Sequence, residues 1–249
     1  MTTAEEAAVD ADRGGMSQTD VVVYGIKKMI LDGELAPGDQ LPIEKDLAPR
    51  LGVSRGSLRE GVRALSIMGV LETRRGSGMY VTKLDASLLL APMGFVVDLQ
   101  QTAGAQHVHS VRRVLETDAA ARAAMRITES ELEEADRILG EAERAIEAVD
   151  HEAVLEADMA FHKLIATASG NPVLQALIEA LSSRTVRGRM WRAIADENAD
   201  RATALEHRAI LRALAEGDPL AAQTRMSNHL LEVESFLRAR PPLEIEDIE

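Results

Sequence analysis

From Thr19 the apolar residues Val22, Val23, Ile26, Met29 and Ile30 recur at helical spacing. Gly33 closes that run, and Pro37-Gly38 marks a turn. A short helix is predicted over 43–51, with Leu47 and Leu51 one turn apart and Gly52 past its end. Ser54 then stands as the N-cap of a third helix over 55–68, whose apolar face is Leu58, Val62, Leu65 and Met68. Gly69 stops it. Residues 70–73 and 79–81 flank the basic, glycine-rich stretch Arg74-Arg75-Gly76-Ser77-Gly78, the pattern of a β-hairpin.

Beyond this hairpin the pattern is helical throughout. Helices are predicted near 87–101, 106–126, 129–149, 151–169, 172–194, 198–216 and 219–238; Pro92 and Gly94 interrupt the first. The boundary signals are local. Thr128-x-x-Glu131 reads as a capping box, and Asn171-Pro172 and Asp218-Pro219 as N-cap and N1-proline pairs. Gly170 and Gly217 sit just past helix ends. The resulting fold is mostly α. A winged helix-turn-helix over 18–83 and a linker over 84–86 lead to an all-α seven-helix bundle over 87–240. Residues 1–17 read as a disordered tail and 241–249 as an acidic one.

Composition narrows the chemistry. The 249 residues are 46% hydrophobic and 28% charged, a globular balance. No apolar run approaches the length of a membrane span, and the acidic start lacks a secretory pattern. With no cysteine, disulfides, thiolate metal sites and cysteine nucleophiles are excluded, and a reducing cytoplasm is the natural compartment. The net charge of −13 argues against nucleic acid until its distribution is read. Residues 18–83 carry ten basic against eight acidic side chains, whereas 84–249 carry seventeen against twenty-nine. Two domains with different partners account for that asymmetry.

The third helix would present Arg55, Ser57 and Arg59 at its N-terminal end. Arginine can bridge two acceptors of guanine in a major groove, and serine can reach phosphate. Arg74 and Arg75 with two glycines would let a wing lie along the backbone. Solvated charges around a small helical domain would produce the same bare pattern. The motifs decide between them. G-x-L-x-P-G at 33–38, L-G-V-S-R at 51–55 and R-E-x-x-x-x-L at 59–65 closely resemble the DNA-binding domain of the GntR family of bacterial transcription regulators, over residues 20–82. That resemblance implies contacts to a double-stranded DNA operator through Lys45 (usually arginine), Arg55, Arg59 and the wing residues Arg75 and Gly76, with Ser54 and Ser57 at phosphates. Gly56 and Gly61 depart from the family pattern, each at an expected cost of about 1 kcal/mol of helix stability. Pro49 lies inside the short second helix, where a kink or an early end is expected.

Asp158 and His162 are i, i+4 and project from one helical face. His207 and His229 lie on two later helices. One carboxylate and three imidazoles could hold a divalent transition metal such as Zn, Ni or Mn. From spacing alone they could equally be unrelated core or surface residues. The order Asp158-x-x-Phe161-His162-x-Leu164, Ser169-Gly170-Asn171, Glu206-His207-x-x-Ile210 and His229 is similar to the FCD effector domain of FadR-like GntR regulators, over about 87–238. The resemblance implies a metal held by Asp158, His162, His207 and His229. It also implies a small carboxylate effector, with Arg112 of Arg112-x-x-Leu115-Glu116 facing the cavity to pair with it. His107 and His109 flank the start of the helix predicted over 106–126 and His151 caps a turn, and none of the three is assigned a role. The run containing Arg187, Arg189, Trp191 and Arg192 reads as a solvated face, a cavity lining or a dimer contact.

The expected function is a metabolite-responsive transcription regulator, a homodimeric repressor of a palindromic operator and not an enzyme. Its rivals are a metal-dependent hydrolase and a domain whose metal only braces the bundle. No further acid, base or nucleophile stands out for the first, and a helix-turn-helix has no purpose in it.

Overall fold

The computed structural model describes residues 16–85, 102–182, 185, 189, 190, 192, 196 and 198–239, with side chains of the long helix from His107 onward. The chain forms two compact units, 1–89 and 90–249. The helix predicted over 87–101, Trp191 and the tail 241–249 lie outside the described residues. Of the predicted tail 1–17, Met16 and Ser17 are described, and Ser17 belongs to the fold. Its hydroxyl accepts from the Asp20 amide while the Asp20 carboxylate accepts from the Ser17 amide, a complete capping box.

In the first unit that cap opens α1 (Gln18–Leu31), followed by α2 (Glu44–Leu51) and α3 (Arg55–Ile67). The helix-period residues Val22, Ile26, Met29, Leu47, Leu58 and Leu65 form its core with Leu71 and Val81. Met68, assigned to the apolar face of the third helix, instead caps that helix and stays partly exposed. Pro49 costs α2 one hydrogen bond, and the helix ends two residues later at Leu51, capped by Gly52, whose φ of +69° only glycine adopts freely. The wing pairs β1 (Leu71–Arg74) with β2 (Gly78–Val81) antiparallel, Leu71 opposite Val81. Gln40 adds a single bridge to Tyr80, an outer edge that the sequence pattern did not announce.

In the second unit, six helices are described: α4 (Thr102–Ala124), α5 (Glu129–Glu147), α6 (His151–Ala168), α7 (Pro172–Ser182), α8 (Ala199–Ala215) and α9 (Pro219–Ala239). The fold class is thus mostly helical with a small two-stranded wing. Alanines 120, 123, 135, 142, 157, 213 and 222 pack the core around Phe161, Ile165, Ile210 and Met226. Small side chains let these helices approach closely, which is what brings α6, α8 and α9 together over one site. The predicted caps form: Thr128 with Glu131, Asn171 over Val173 and Leu174, and Asp218 over Leu220 and Ala221. The helix predicted unbroken over 172–194 ends at Ser182. There the amide and hydroxyl of Thr185 both donate to the Ser182 carbonyl, competing with helical continuation.

Candidate metal centre and nucleic-acid interface

The helix-turn-helix sets its polar side chains from local geometry. Ser54 caps α3, its Oγ accepting from the Ser57 amide at 3.1 Å and lying 2.9 Å from Ser57 Oγ. Arg55 stands exposed at the first turn. Arg59, one turn on, donates from Nε to both oxygens of Glu44 at 2.9 and 3.0 Å. Glu44 lies on the first turn of α2, next in sequence to Lys45, so one carboxylate ties that turn to the first turns of α3. That carboxylate was not singled out in the sequence. Arg59, with Arg55 further off, holds it below its usual range. Arg75 and Gly76 are exposed at the wing turn, where Gly76 has φ of +73°. Arg74 packs over Tyr80, 4.2 Å from the ring centre, and pairs with Glu72.

In the helical unit, α6 supplies Asp158 and His162, α8 His207 and α9 His229. One ligand atom from each falls within 4.8 Å of all the others. His207 Nε2 lies 3.3 Å from His229 Nε2 and 3.6 Å from Asp158 Oδ1, and His162 Nε2 lies 3.8 Å from that same oxygen. Ligands on bonds of roughly 2.1 Å at angles near 90–130° stand about 3.0–3.8 Å apart, the range in which these three separations fall. All three imidazoles are buried. Two are braced from behind: His162 Nδ1 bonds Glu116, and His229 Nδ1 bonds Glu206 at 2.7 Å. A carboxylate on Nδ1 fixes the tautomer that turns the Nε2 lone pair to a metal. Burial pushes His207 and His229 below the ordinary histidine value, which keeps them neutral and able to ligate. Burial opposes ionisation of Asp158, but the charge of Arg189 foremost outweighs it and holds the carboxyl well below its usual range.

The bracing carboxylates belong to a wider network. Arg112, fully buried on α4, donates from Nε to Glu116 at 2.6 Å and from Nη1 to Thr185 at 2.6 Å. The predicted effector arginine is therefore beside the cluster but already tied to two partners. Arg189 bonds Asp158 through the oxygen that accompanies the metal-facing one, and donates to the Ser182 carbonyl at 3.0 Å. This settles the ambiguous arginine run at one position: Arg189 lines the cavity. That cavity has a volume of about 50 Å³, room for a few waters, and is lined also by Arg112, Asp158, His162, Arg192 and His229. His151 and Asp200, 2.9 Å apart, line it too. His151 is the first residue of α6, and His109, near the start of the long helix in the sequence reading, is buried on α4. Glu116 stood in the sequence one turn from Arg112 and Glu206 beside His207, but neither was singled out as a brace for a histidine.

Residues 18–81 match the family described as bacterial regulatory proteins, gntR family, and residues 107–232 match the FCD domain. The chain is 35% identical over 214 residues to the HTH-type transcriptional regulator LutR of Bacillus subtilis, spanning 84% of this chain and 96% of that protein. It is 32% identical over 216 residues to the galactonate operon transcriptional repressor of Escherichia coli, spanning 84% of this chain and 91% of that one. Among solved structures, a GntR protein of Streptococcus agalactiae superimposes with a TM-score of 0.68 at 28% identity, covering 88% of this chain and 99% of that chain.

Proposed function

The chain belongs to the GntR family of bacterial transcription regulators, with an FCD effector domain, and from that premise we propose that it is a dimeric, metal-dependent sensor of a small carboxylate. Two copies of α3 would enter successive major grooves of a palindromic operator. Arg55, Arg59 and Lys45 would meet bases and backbone there, Ser54 and Ser57 phosphate, and Arg75 and Gly76 the backbone at the wing. The acidic helical unit takes no part in DNA contact. One observation carries the effector half: three buried imidazole nitrogens and Asp158 converge beside a cavity that Arg112 and Arg189 also line. The donor set suits Zn, Ni or Mn, with about one ion per chain. Bound there, the metal supplies a Lewis-acid seat for a carboxylate oxygen. Arg112 and Arg189 hold the opposite charge in place, and Glu116 and Glu206 keep His162 and His229 turned inward. A relative named for the operon of galactonate, itself a carboxylate, supports the effector class, and its name as a repressor supports repression.

An effector can regulate only by binding two states of the protein with different affinity. The cavity is too small as it stands for a sugar acid, so binding must repack the elements that line it, α4, α6, α8 and α9 among them. The test is elemental analysis of protein purified without chelator, followed by DNA-binding titrations with carboxylates. The wild type should hold about one transition metal per chain, and an acid should change its operator affinity. His207→Ala should lose both while DNA binding persists. No metal, and no gain in Tm on adding Zn or Ni, would overturn the metal reading. Unchanged affinity and sequence preference in both Arg55→Ala and Arg59→Ala, where roughly tenfold to a hundredfold loss is expected, would overturn the DNA contacts.

A further inference from the structure

Arg59 and Glu44 meet across the helix-turn-helix, and the way they meet divides the guanidinium in two. Nε donates to both Glu44 oxygens at 2.9 and 3.0 Å, and Nη2 stands 2.9 Å from Oε2. Nε–H and the nearer Nη2–H lie along one edge of the planar group, so the carboxylate occupies that edge. The end of the group, Nη1 with the outer hydrogen of Nη2, has no hydrogen-bond partner among the described residues. Two parallel N–H groups at that end match O6 and N7 of a guanine. The Arg59 side chain is 70% exposed, so packing does little to hold its long stem, and Glu44 is its one hydrogen-bond partner among the described residues.

A carboxylate is out of place on a surface that meets phosphates, which repel it. Helix chemistry offers one reason for it: Ile43, the N-cap of α2, makes no side-chain cap, and an acid in the first turn offsets the helix dipole. Asp46 lies in the same turn and answers that need without touching Arg59. Nor does stability account for the pair, since an exposed ion pair is screened by water and gives up side-chain freedom. That lost freedom is the useful part. An arginine already oriented loses less on meeting a base. Resting on the DNA-contact reading above, we propose that Glu44 is a positioning residue for base recognition. It holds Arg59 by one edge, turns the Nη1–Nη2 end to a guanine, and by its own charge keeps that arginine off the phosphates.

The test uses the full chain, without added effector, and a duplex that the wild type selects from a random-sequence pool. Competition with every single-base-pair variant of that duplex gives the preference at each position. A scrambled duplex gives the sequence-independent affinity. The base pair at which Arg59→Ala loses discrimination marks what Arg59 reads. There Glu44→Ala should lower the guanine preference by about threefold to tenfold, part of what a bidentate contact supplies. Its affinity for the scrambled duplex should hold or rise, because a negative charge has left the surface. Glu44→Gln, with one acceptor oxygen, should fall between alanine and wild type, and Asp46→Ala should leave the preference unchanged. Both Glu44 variants should melt within a few degrees of the wild type, since the pair is exposed. Added to Arg59→Ala, the Glu44→Ala change should cause no further loss at any base pair. An unchanged preference in Glu44→Ala overturns the positioning role and leaves the DNA contacts standing. So does an equal fall in affinity for selected and scrambled duplexes, the mark of general damage. A further loss in the double variant overturns it too, by making Glu44 a reader of bases in its own right. If Arg59→Ala loses discrimination nowhere, the contact assigned to Arg59 falls, and the positioning role falls with it.

Discussion

Gly56 and Gly61 lie five residues apart on α3, and the same substitution should act on them with opposite sign. Helix propensity alone favours alanine at both by up to about 1 kcal/mol. At Gly56 a Cβ would meet only Ser54 Oγ, at an ordinary 3.7 Å, so Gly56→Ala should raise stability by most of that amount. At Gly61 the same atom would stand 2.5 Å from Val22 Cβ and Cγ1, inside the contact between α1 and α3. Overpacking a core costs about 1–3 kcal/mol, so Gly61→Ala should be destabilising in net. Urea unfolding of the two variants decides it, and an alanine at 61 more stable than wild type would refute the packing argument. The expectation that both glycines merely weaken the helix is thus replaced by two different roles. At position 61 the missing Cβ is what lets the helix-turn-helix close.

At the level of elements, local chemistry was readable and convergence was not. Thr128, Asn171 and Asp218 announce helix starts because a capping side chain acts within three residues of itself. The break after Ser182 escaped notice because it depends on Thr185 bonding backward, while the apolar spacing continues. The four metal-ligand candidates could be grouped from the residues but only the resemblance favoured a metal, since nothing in their spacing says that α6, α8 and α9 meet. The bonds of Arg189 to Asp158 and of Glu206 to His229 cross between elements for the same reason, and the burial of His109 cannot be read from a polar residue near a helix start. The turn between α5 and α6 shows a strained choice of residue. Val149 has φ of +58° and is 72% exposed, while Asp150 caps α6 through the Ala153 amide. A β-branched residue in left-handed backbone costs about 1–2 kcal/mol, and so exposed a side chain has little packing to lose. Val149→Gly should therefore raise Tm, with the cap intact. A lower Tm would mean that valine packing in this turn outweighs its backbone strain.

For the whole molecule, the acidic charge of the helical unit and its buried histidines together set how the protein answers acid. His109, His207 and His229 have folded values below the unfolded value of about 6.5. Above that pH all three are neutral in both states and carry no penalty. Below it the unfolded chain binds protons that the fold refuses, so stability falls as pH drops from about 6.5 toward the lowered folded values. Asp158 and Glu116 are also lowered, so their contribution is full above the ordinary carboxylate range and is lost only on further acidification. Two stages of loss should follow, first from histidines and then from carboxylates. A metal enters with the same sign. It binds the neutral ring nitrogens of the folded state, and His207 and His229 are already neutral there. Loss of metal was expected near the titration of free histidine, about 6.5; burial moves it lower. The Tm gained by adding Zn should therefore persist at pH 6, where exposed histidines are largely protonated, while the Tm of the metal-free protein is already falling. Melting curves between pH 8 and 4, with and without Zn, separate the two effects. A metal-free Tm that rises between pH 7 and 5 would contradict neutral buried histidines. A Zn-dependent gain that vanishes by pH 6.5 would mean that the ligands titrate as if exposed, and that the bundle does not hold His207 and His229 ready for a metal.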